Sequence, residues 1–95
     1  MLTGKQKRYL RALASEEKTI LQIGKDALSD NLIEQVDNAI TARELVKISV
    51  LKNSPVDVKE IAFDLARYTN SELVQVIGRT IVLYRAARTP KILLP

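Results

Sequence analysis

The sequence predicts an α/β fold, a single compact domain over residues 1–95 in which helices pack on a four-stranded mixed sheet. Its length of 95 residues corresponds to one small domain. Apolar residues recur at helical spacing in three segments and are concentrated in β-prone runs in four others. The predicted order is helix, strand, helix, strand, helix, strand, strand, which is typical of two strand–helix–strand units followed by a hairpin.

The first helix is predicted from a short apolar stripe of Leu10, Leu13 and Ala14, with Thr3 as its N-cap. Basic side chains occupy the rest of its surface at spacings of three and four residues: Lys5, Lys7, Arg8 and Arg11. Like charges at these spacings repel each other, so the helix carries a local cost. A bound anion would offset that cost.

A short strand is predicted over Thr19–Ile23, and the loop Gly24–Ala27 ends it. Ser29 is a favoured N-cap for the second helix, and Asp30 in its first turn complements the helix dipole. The buried stripe of this helix is predicted to contain Ile33, Val36 and Ile40.

The next strand is predicted over Leu45–Leu51, where apolar residues alternate with Lys47 and Ser49. These two polar residues, together with Gln22 and Gln75, form either a polar binding platform or a solvated outer face of the sheet.

The third helix is predicted to begin after Ser54, with Ser54 as the N-cap, Pro55 at the first position and Asp57 completing a capping box. Two more strands follow over Leu73–Ile77 and Thr80–Tyr84. The two residues between them begin with glycine, which predicts a type II′ hairpin turn. The tail, residues 86–95, is either an additional edge strand or a docked extension.

The net charge of +4 is unevenly distributed along the chain. Residues 1–25 and residues 79–95 each carry +4, whereas residues 26–78 carry −4. If the fold brings the two ends together, the protein has one basic face and one acidic back, as many polyanion-binding proteins do. The alternative is a solvated surface on which the charge is locally uneven.

The composition excludes several classes of site. The chain has no cysteine and no histidine, so it has no disulfide, no thiolate nucleophile and no imidazole to act as metal ligand or general base. Asp57, Glu60 and Asp64 share one helical face, but an exposed face lacks the desolvated cleft that acid–base catalysis needs. We therefore expect a protein that is not an enzyme and has no cofactor or metal. The absence of a signal segment and of a long apolar run predicts a cytoplasmic protein with no membrane partner.

Four stretches of the chain resemble one protein family. They are Met1–Leu10, Ile23–Lys25, Glu44–Lys47 and Leu73–Arg85. In this order they resemble the stand-alone bacterial CRM-domain proteins (chloroplast RNA splicing and ribosome maturation, YhbY-like). The resemblance implies an α/β fold similar to the C-terminal domain of translation initiation factor three. It also implies RNA binding, in bacteria to precursors of the large ribosomal subunit.

One loop departs from the family pattern. The family has a GxxG loop after its first strand, similar to the KH loop that clamps a nucleotide backbone. Here Ala27 stands where the second glycine is expected, and its β-carbon limits positive φ and close backbone approach. Asp26 adds a charge that repels phosphate. Gly24 and Lys25 nevertheless stay candidates for RNA contact.

The sequence and the resemblance together predict an RNA-binding protein that contacts rRNA in a large-subunit precursor and assists ribosome assembly. Its basic face is expected to combine the N-terminal helix with the C-terminal hairpin, so that Lys7 and Arg79 share a surface.

Few aromatic residues are present, which favours recognition of folded RNA through its backbone and shape. Tyr9 and Tyr84 either stack on bases or pack in the core. The candidate RNA-binding residues are Lys5, Lys7, Arg8, Arg11, Gly24, Lys25, Lys47, Arg79 and Arg85. Ribosomal or assembly proteins are further candidate partners. The alternative function is a protein-interaction adaptor whose working surface is its acidic helices.

Overall fold

A computed structural model describes residues 2–95, which form three helices and four strands. In chain order these are α1 (Gly4–Ala14), β1 (Leu21–Ile23), α2 (Asp30–Arg43), β2 (Leu45–Val50), α3 (Val58–Tyr68), β3 (Glu72–Ile77) and β4 (Thr80–Tyr84). The predicted order of elements is confirmed, although β1 is two residues shorter than the segment predicted from the β-prone run. Within residues 2–95, no helix combines the length and the apolar character needed to cross a membrane.

The strands form one mixed sheet in the order β1-β2-β4-β3. β1 runs parallel to β2, and β4 lies antiparallel to both β2 and β3. The hairpin between β3 and β4 turns through two residues, of which Gly78 has a φ of +57°. A positive φ at the first loop position is the geometry that a type II′ turn requires and that glycine adopts without strain. The predicted four-stranded mixed sheet is therefore confirmed.

The helices cover both faces of the sheet. α2 and α3 pack on one face, where side chains such as Ile40, Ile61 and Leu65 are fully buried against the sheet. α1 packs on the opposite face, where Leu10 and Ala14 contact a smaller cluster from β2, β3 and β4. Burying a side chain of this size contributes about 1.5 to 3 kcal/mol, so each helix is held mainly by its apolar stripe.

The starts of α1 and α2 follow the prediction. Thr3 accepts a hydrogen bond from the amide of Gln6 at 3.1 Å, and the Gln6 side chain accepts the amide of Thr3 at 3.0 Å, which completes a capping box. Ser29 caps α2 by accepting the amide of Leu32 at 3.1 Å. Side-chain caps of this kind satisfy amides that a helix leaves without internal partners.

The prediction for the start of α3 is wrong. Its N-cap is Asp57, and the Asp57 side chain makes no capping hydrogen bond. The hydroxyl of Ser54 instead donates to the carbonyl of Val56 at 3.2 Å and accepts its amide at 3.4 Å. Serine hydroxyls compete for nearby backbone in this way, and here the local turn delays the helix by three residues while Val56 packs on the core.

The tail is a docked extension and not a fifth strand. Ile92 and Leu94 pack against the cluster under α1, and the carbonyl of Pro95 accepts a hydrogen bond from the Gln6 side chain at 3.3 Å. Glu44, at the end of α2, is completely buried and accepts three backbone amides of the tail. The tail therefore closes the same face of the sheet that α1 covers.

Candidate nucleic-acid interface

The basic side chains of α1 point away from the sheet. Leu10 and Ala14 take up the buried stripe, so Lys5, Arg8 and Arg11 are exposed and Lys7 is half-buried. The helix contains no acidic residue, and among residues 2–95 no ion pair engages any of these four bases. α1 therefore presents four positive charges that are not compensated by an ion pair, along about two turns.

A groove of about 360 Å³ lies where the end of α1 meets the sheet. Arg11 lines it from the helix, and Lys47 and Gln75 line it from β2 and β3. The ammonium of Lys47 donates to the carbonyl of Ala14 at 3.3 Å. This contact stabilises the last turn of α1, whose carbonyls carry a partial negative charge, and leaves two further donors on the ammonium.

A β-bulge aims Gln75 into this groove. Leu73 pairs with Leu83 and Gln75 pairs with Val82, so Val74 is the extra residue on β3. Without the bulge, Gln75 would share the face of Leu73, which packs against the core under α2 and α3. The bulge turns Gln75 to the face of the sheet that α1 covers.

Beyond the groove, part of this sheet face is open to solvent. The register aligns one residue from each strand into a row that crosses the sheet: Gln22, Ser49, Thr80 and Ile77. Gln22 and Ile77 are exposed, and Ile77 keeps 59% of its surface accessible. The predicted polar platform is thus an open surface beside α1, with one apolar side chain that the sequence analysis did not include.

Three loops meet next to that row, at the end of the sheet where β1 and β2 terminate and the β3–β4 hairpin turns. The amide of Leu51 donates to the carbonyl of Ile23 at 2.8 Å, and the amide of Val50 donates to the carbonyl of Arg79 at 2.7 Å. These bonds join the ends of β1 and β2 to the hairpin turn. We call this region the loop edge; its basic or glycine residues are Gly24, Lys25, Lys52, Gly78 and Arg79. Its lysines and arginine are exposed.

The geometry of the loop after β1 corrects one expectation. The amide of Ala27 donates to the carbonyl of Gly24 at 3.1 Å, which closes a tight turn. Ala27 has a φ of +47°, the left-handed conformation that glycine favours. Its β-carbon therefore does not prevent positive φ, because the closed turn imposes it. The conformation costs an alanine about 1 to 2 kcal/mol.

Arg85 is committed to the protein's own fold and does not join the other candidates. Its guanidinium donates to the carboxylate of Asp37 at 2.8 Å and to the hydroxyl of Thr41 at 2.7 Å, both on α2, and to the carbonyl of Thr69. The guanidinium has five donors, and these contacts direct it toward α2 and the end of α3. Arg85 directly follows β4, and its side chain lies on the face of the sheet opposite to α1.

The aromatic residues also lie in different parts of the fold. Tyr84 is buried in the cluster under α1, where burial and the nearby charge of Glu44 raise the pKa of its phenol above the ordinary value. Phe63 and Tyr68 are exposed on α3, on the far side of the sheet. Tyr9, on α1, keeps 40% of its surface accessible and is the aromatic residue beside the basic side chains.

The structure divides the predicted site residues into three groups. Lys5, Lys7, Arg8 and Arg11 lie on α1, and Lys47 lies in the groove at its end. Gly24, Lys25 and Arg79 lie at the loop edge, which adjoins the open row of the sheet. Arg85 lies apart. Sequence reasoning missed Lys52 at the loop edge, although its place directly after a strand was a usable signal.

Known proteins resemble this chain over most of its length. The model of the CRS1 / YhbY (CRM) domain matches residues 2–85. The chain is 48% identical over 91 residues to a Bacillus subtilis (strain 168) protein named "Probable RNA-binding protein YqeI", covering 96% of this chain and 95% of that protein. It is 32% identical over 94 residues to a Haemophilus influenzae protein named "RNA-binding protein", covering 99% and 95% of the two chains.

A solved structure has the same fold. The solution structure of the hypothetical protein SAV1595 from Staphylococcus aureus superimposes with a TM-score of 0.84 and is 52% identical in sequence. The match covers 100% of both chains. Together with the family match, this confirms the resemblance carried by the four sequence stretches: the chain belongs to the CRS1 / YhbY (CRM) domain family.

Proposed function

We propose that this protein binds RNA, namely rRNA in a precursor of the large ribosomal subunit, and assists ribosome assembly in the cytoplasm without catalysing a reaction. The surface that carries the proposal is the α1 face, which consists of Lys5, Lys7, Arg8 and Arg11 with the groove residues Lys47 and Gln75. Within residues 2–95 its cations form no ion pair, and they border an open sheet face. The names of two relatives, which describe them as RNA-binding proteins, support the RNA-binding part of the proposal.

The surface favours folded RNA over an extended single strand. Single-strand binding relies on several aromatic side chains that stack on successive bases. Here Tyr9 is the aromatic residue on the basic side, because Tyr84 is buried and the others lie on α3. Lysine and arginine side chains on a rigid helix are instead suited to phosphates that a folded RNA holds at fixed positions. A ribosomal precursor offers many such sites.

The loop edge extends this surface. The row from Gln22 to Ile77 lies between the groove and the loops, and neighbouring rows on one face are about 7 Å apart, close to the spacing of phosphates along a strand. An RNA backbone that follows the α1 face would thus reach Lys25 and Arg79. Asp26 repels phosphate there, so we assign the larger share of the affinity to α1.

Salt dependence tests the role of α1. The affinity of a labelled large-subunit rRNA fragment should fall linearly on a log–log plot against salt concentration. Replacing Lys7 and Arg8 together with alanine should weaken binding and reduce the slope by about 1.5, because each lost phosphate contact releases about 0.7 to 0.9 fewer counterions. Folding should survive, because neither residue belongs to the buried stripe and alanine favours helix.

A matched control removes two arginines from the other side of the sheet. Arg43→Ala with Arg67→Ala changes the net charge by the same amount, and both residues are exposed at the ends of α2 and α3. The salt slope of this double variant should equal that of the unmodified protein within error. Equal losses from both pairs would show that net charge, and not the α1 face, controls binding.

The identity of the RNA needs a separate experiment. The protein should be crosslinked to RNA in cells by ultraviolet light, and the attached RNA sequenced. We expect reads from large-subunit rRNA that extend into precursor sequences. Reads dominated by messenger RNA would leave RNA binding intact and contradict the role in ribosome assembly.

A further inference from the structure

A second groove lies on the opposite side of the molecule from the α1 face. It has a volume of about 470 Å³ and runs between α2 and α3. Its floor is apolar and consists of Leu28, Ile33, Val56 and Ile61, which belong to or pack on the core beneath. Grooves of this size and lining commonly bind a few side chains of a ligand.

The rim of this groove is acidic. Asp30 projects from the start of α2, and Glu60 and Asp64 project from successive turns of α3. No lysine or arginine lines the groove. Within residues 2–95, Asp30 and Glu60 take part in no ion pair. The rim therefore repels nucleic acid and attracts a cationic group.

An exposed aromatic side chain completes one end. Tyr68 lines the groove and keeps 56% of its surface accessible. The guanidinium of Arg67 already lies 5.0 Å from the centre of the Tyr68 ring and donates to Asp64 at 3.1 Å. Asp64 is therefore already paired within the chain and Arg67 places a positive charge at this end, so the rim carboxylates open to the cation of a ligand are Asp30 and Glu60.

We infer that this groove, between α2 and α3, binds a segment of a partner protein in which arginine or lysine alternates with apolar residues. The apolar side chains would occupy the floor and pack on Tyr68, and the cationic side chains would pair with Asp30 and Glu60, the rim carboxylates that make no ion pair within residues 2–95. The inference is independent of RNA binding by the α1 face. A protein that holds RNA on one side and a basic protein segment on the other would join two components of one assembly.

A defined probe tests this inference on the whole protein. The probe is a short fluorescein-labelled peptide that alternates arginine and leucine, and its binding is followed by fluorescence anisotropy. Backbone amide shifts measured by NMR locate the site. We expect saturable binding with shifts concentrated at Ile33, Ile61 and Tyr68. The same peptide with glutamate in place of arginine should not bind, because the acidic rim repels it.

Variants distinguish binding in the groove from attraction to the net charge of the protein. Asp30→Asn with Glu60→Gln should weaken peptide binding about five-fold, the effect expected from the loss of two partly exposed ion pairs. Tyr68→Ala should weaken it as well, and this exposed residue can be replaced without opening the core. The control, Glu16→Gln with Glu34→Gln, removes the same charge at exposed positions outside the groove and should leave binding near the unmodified value.

Several results would overturn the inference. Equal weakening by the two charge pairs would mean attraction to net charge alone, and shifts concentrated on α1 would locate the peptide elsewhere. If the rRNA fragment produced the same shifts, the groove would be an RNA site. If the unmodified protein self-associated and Asp30→Asn with Glu60→Gln abolished this, the occupant would be a second copy of the chain.

Discussion

The carboxylate of Glu44 accepts a hydrogen bond of 2.7 Å from the backbone amide of Lys91, which lies 47 residues later in the chain. The same oxygen accepts the amide of Ile92 at 3.0 Å, and the other oxygen accepts the amide of Ala87 at 3.0 Å. Glu44 is completely buried, and its φ of +68° ends α2. One buried carboxylate therefore holds the tail against the cluster under α1.

The charge of this carboxylate is stabilised by its partners. Burial by itself would raise the pKa of Glu44, but the three amide hydrogen bonds and the charge of Lys91 together lower the pKa below its ordinary value. Hydrogen bonds to the charged form have this effect. Glu44 thus stays ionised while the tail is docked.

We first predict that Glu44→Gln destabilises the protein by about 1 to 3 kcal/mol. Glutamine keeps the size of the side chain but replaces one accepting oxygen with an amide group, which cannot accept the backbone amide of Ala87. Urea unfolding followed by circular dichroism measures the change. Glu34→Gln is the control, because Glu34 is exposed on the same helix and should change stability by less than about 0.5 kcal/mol.

The second prediction is a pH dependence of that difference. The folded pKa of Glu44 lies below its ordinary value of 4.5, so the folded protein binds this proton less readily than the unfolded chain. Its contribution is therefore fully present above pH 4.5 and is lost as the pH falls through the folded pKa. The stability gap between the unmodified protein and Glu44→Gln should be constant near neutral pH and shrink in acid. A gap that widened in acid would contradict the assignment.

The third prediction concerns Arg85. Arg85→Lys should cost about 1 to 3 kcal/mol, because an ammonium cannot reproduce the fork that joins Asp37, Thr41 and the carbonyl of Thr69. Arg85→Ala, which also removes the charge, should leave the salt slope of RNA binding unchanged under conditions where the variant is folded, since this side chain faces away from α1. A reduced slope in that folded variant would show that Arg85 contacts RNA.

The fourth prediction concerns the turn after β1. Ala27→Gly should raise stability by up to about 1 kcal/mol, because glycine removes the strain of a φ of +47° and this outweighs its added freedom in the unfolded chain. RNA affinity should be unchanged or higher. Ala12→Gly is the matched control: Ala12 is exposed within α1, where glycine should lower stability by about 1 kcal/mol. Destabilisation by both changes would contradict the strain assigned to Ala27.

The sequence predicted the elements well where the signal is local. The capping of α1 by Thr3 and of α2 by Ser29 was correct because the partners lie three residues away. The start of α3 was predicted incorrectly, although Ser54 and Pro55 are strong local signals. There the Ser54 hydroxyl accepts the amide of Val56, which is closer in the chain than the amide that a helix cap would accept. A sequence pattern cannot decide between these two amides.

The sequence alone determined the order of helices and strands, the basic surface of α1 and the acidic net charge of α2, because periodicity, caps and charge are properties of neighbouring residues. Only the tertiary structure decided which basic residues are available. It brought Lys47 to the end of α1, turned Gln75 through a bulge and bound Arg85 to Asp37. It also docked the tail on Glu44. These contacts join residues far apart in the chain, so strand register and the packing of α1 and α2 against the sheet determine them.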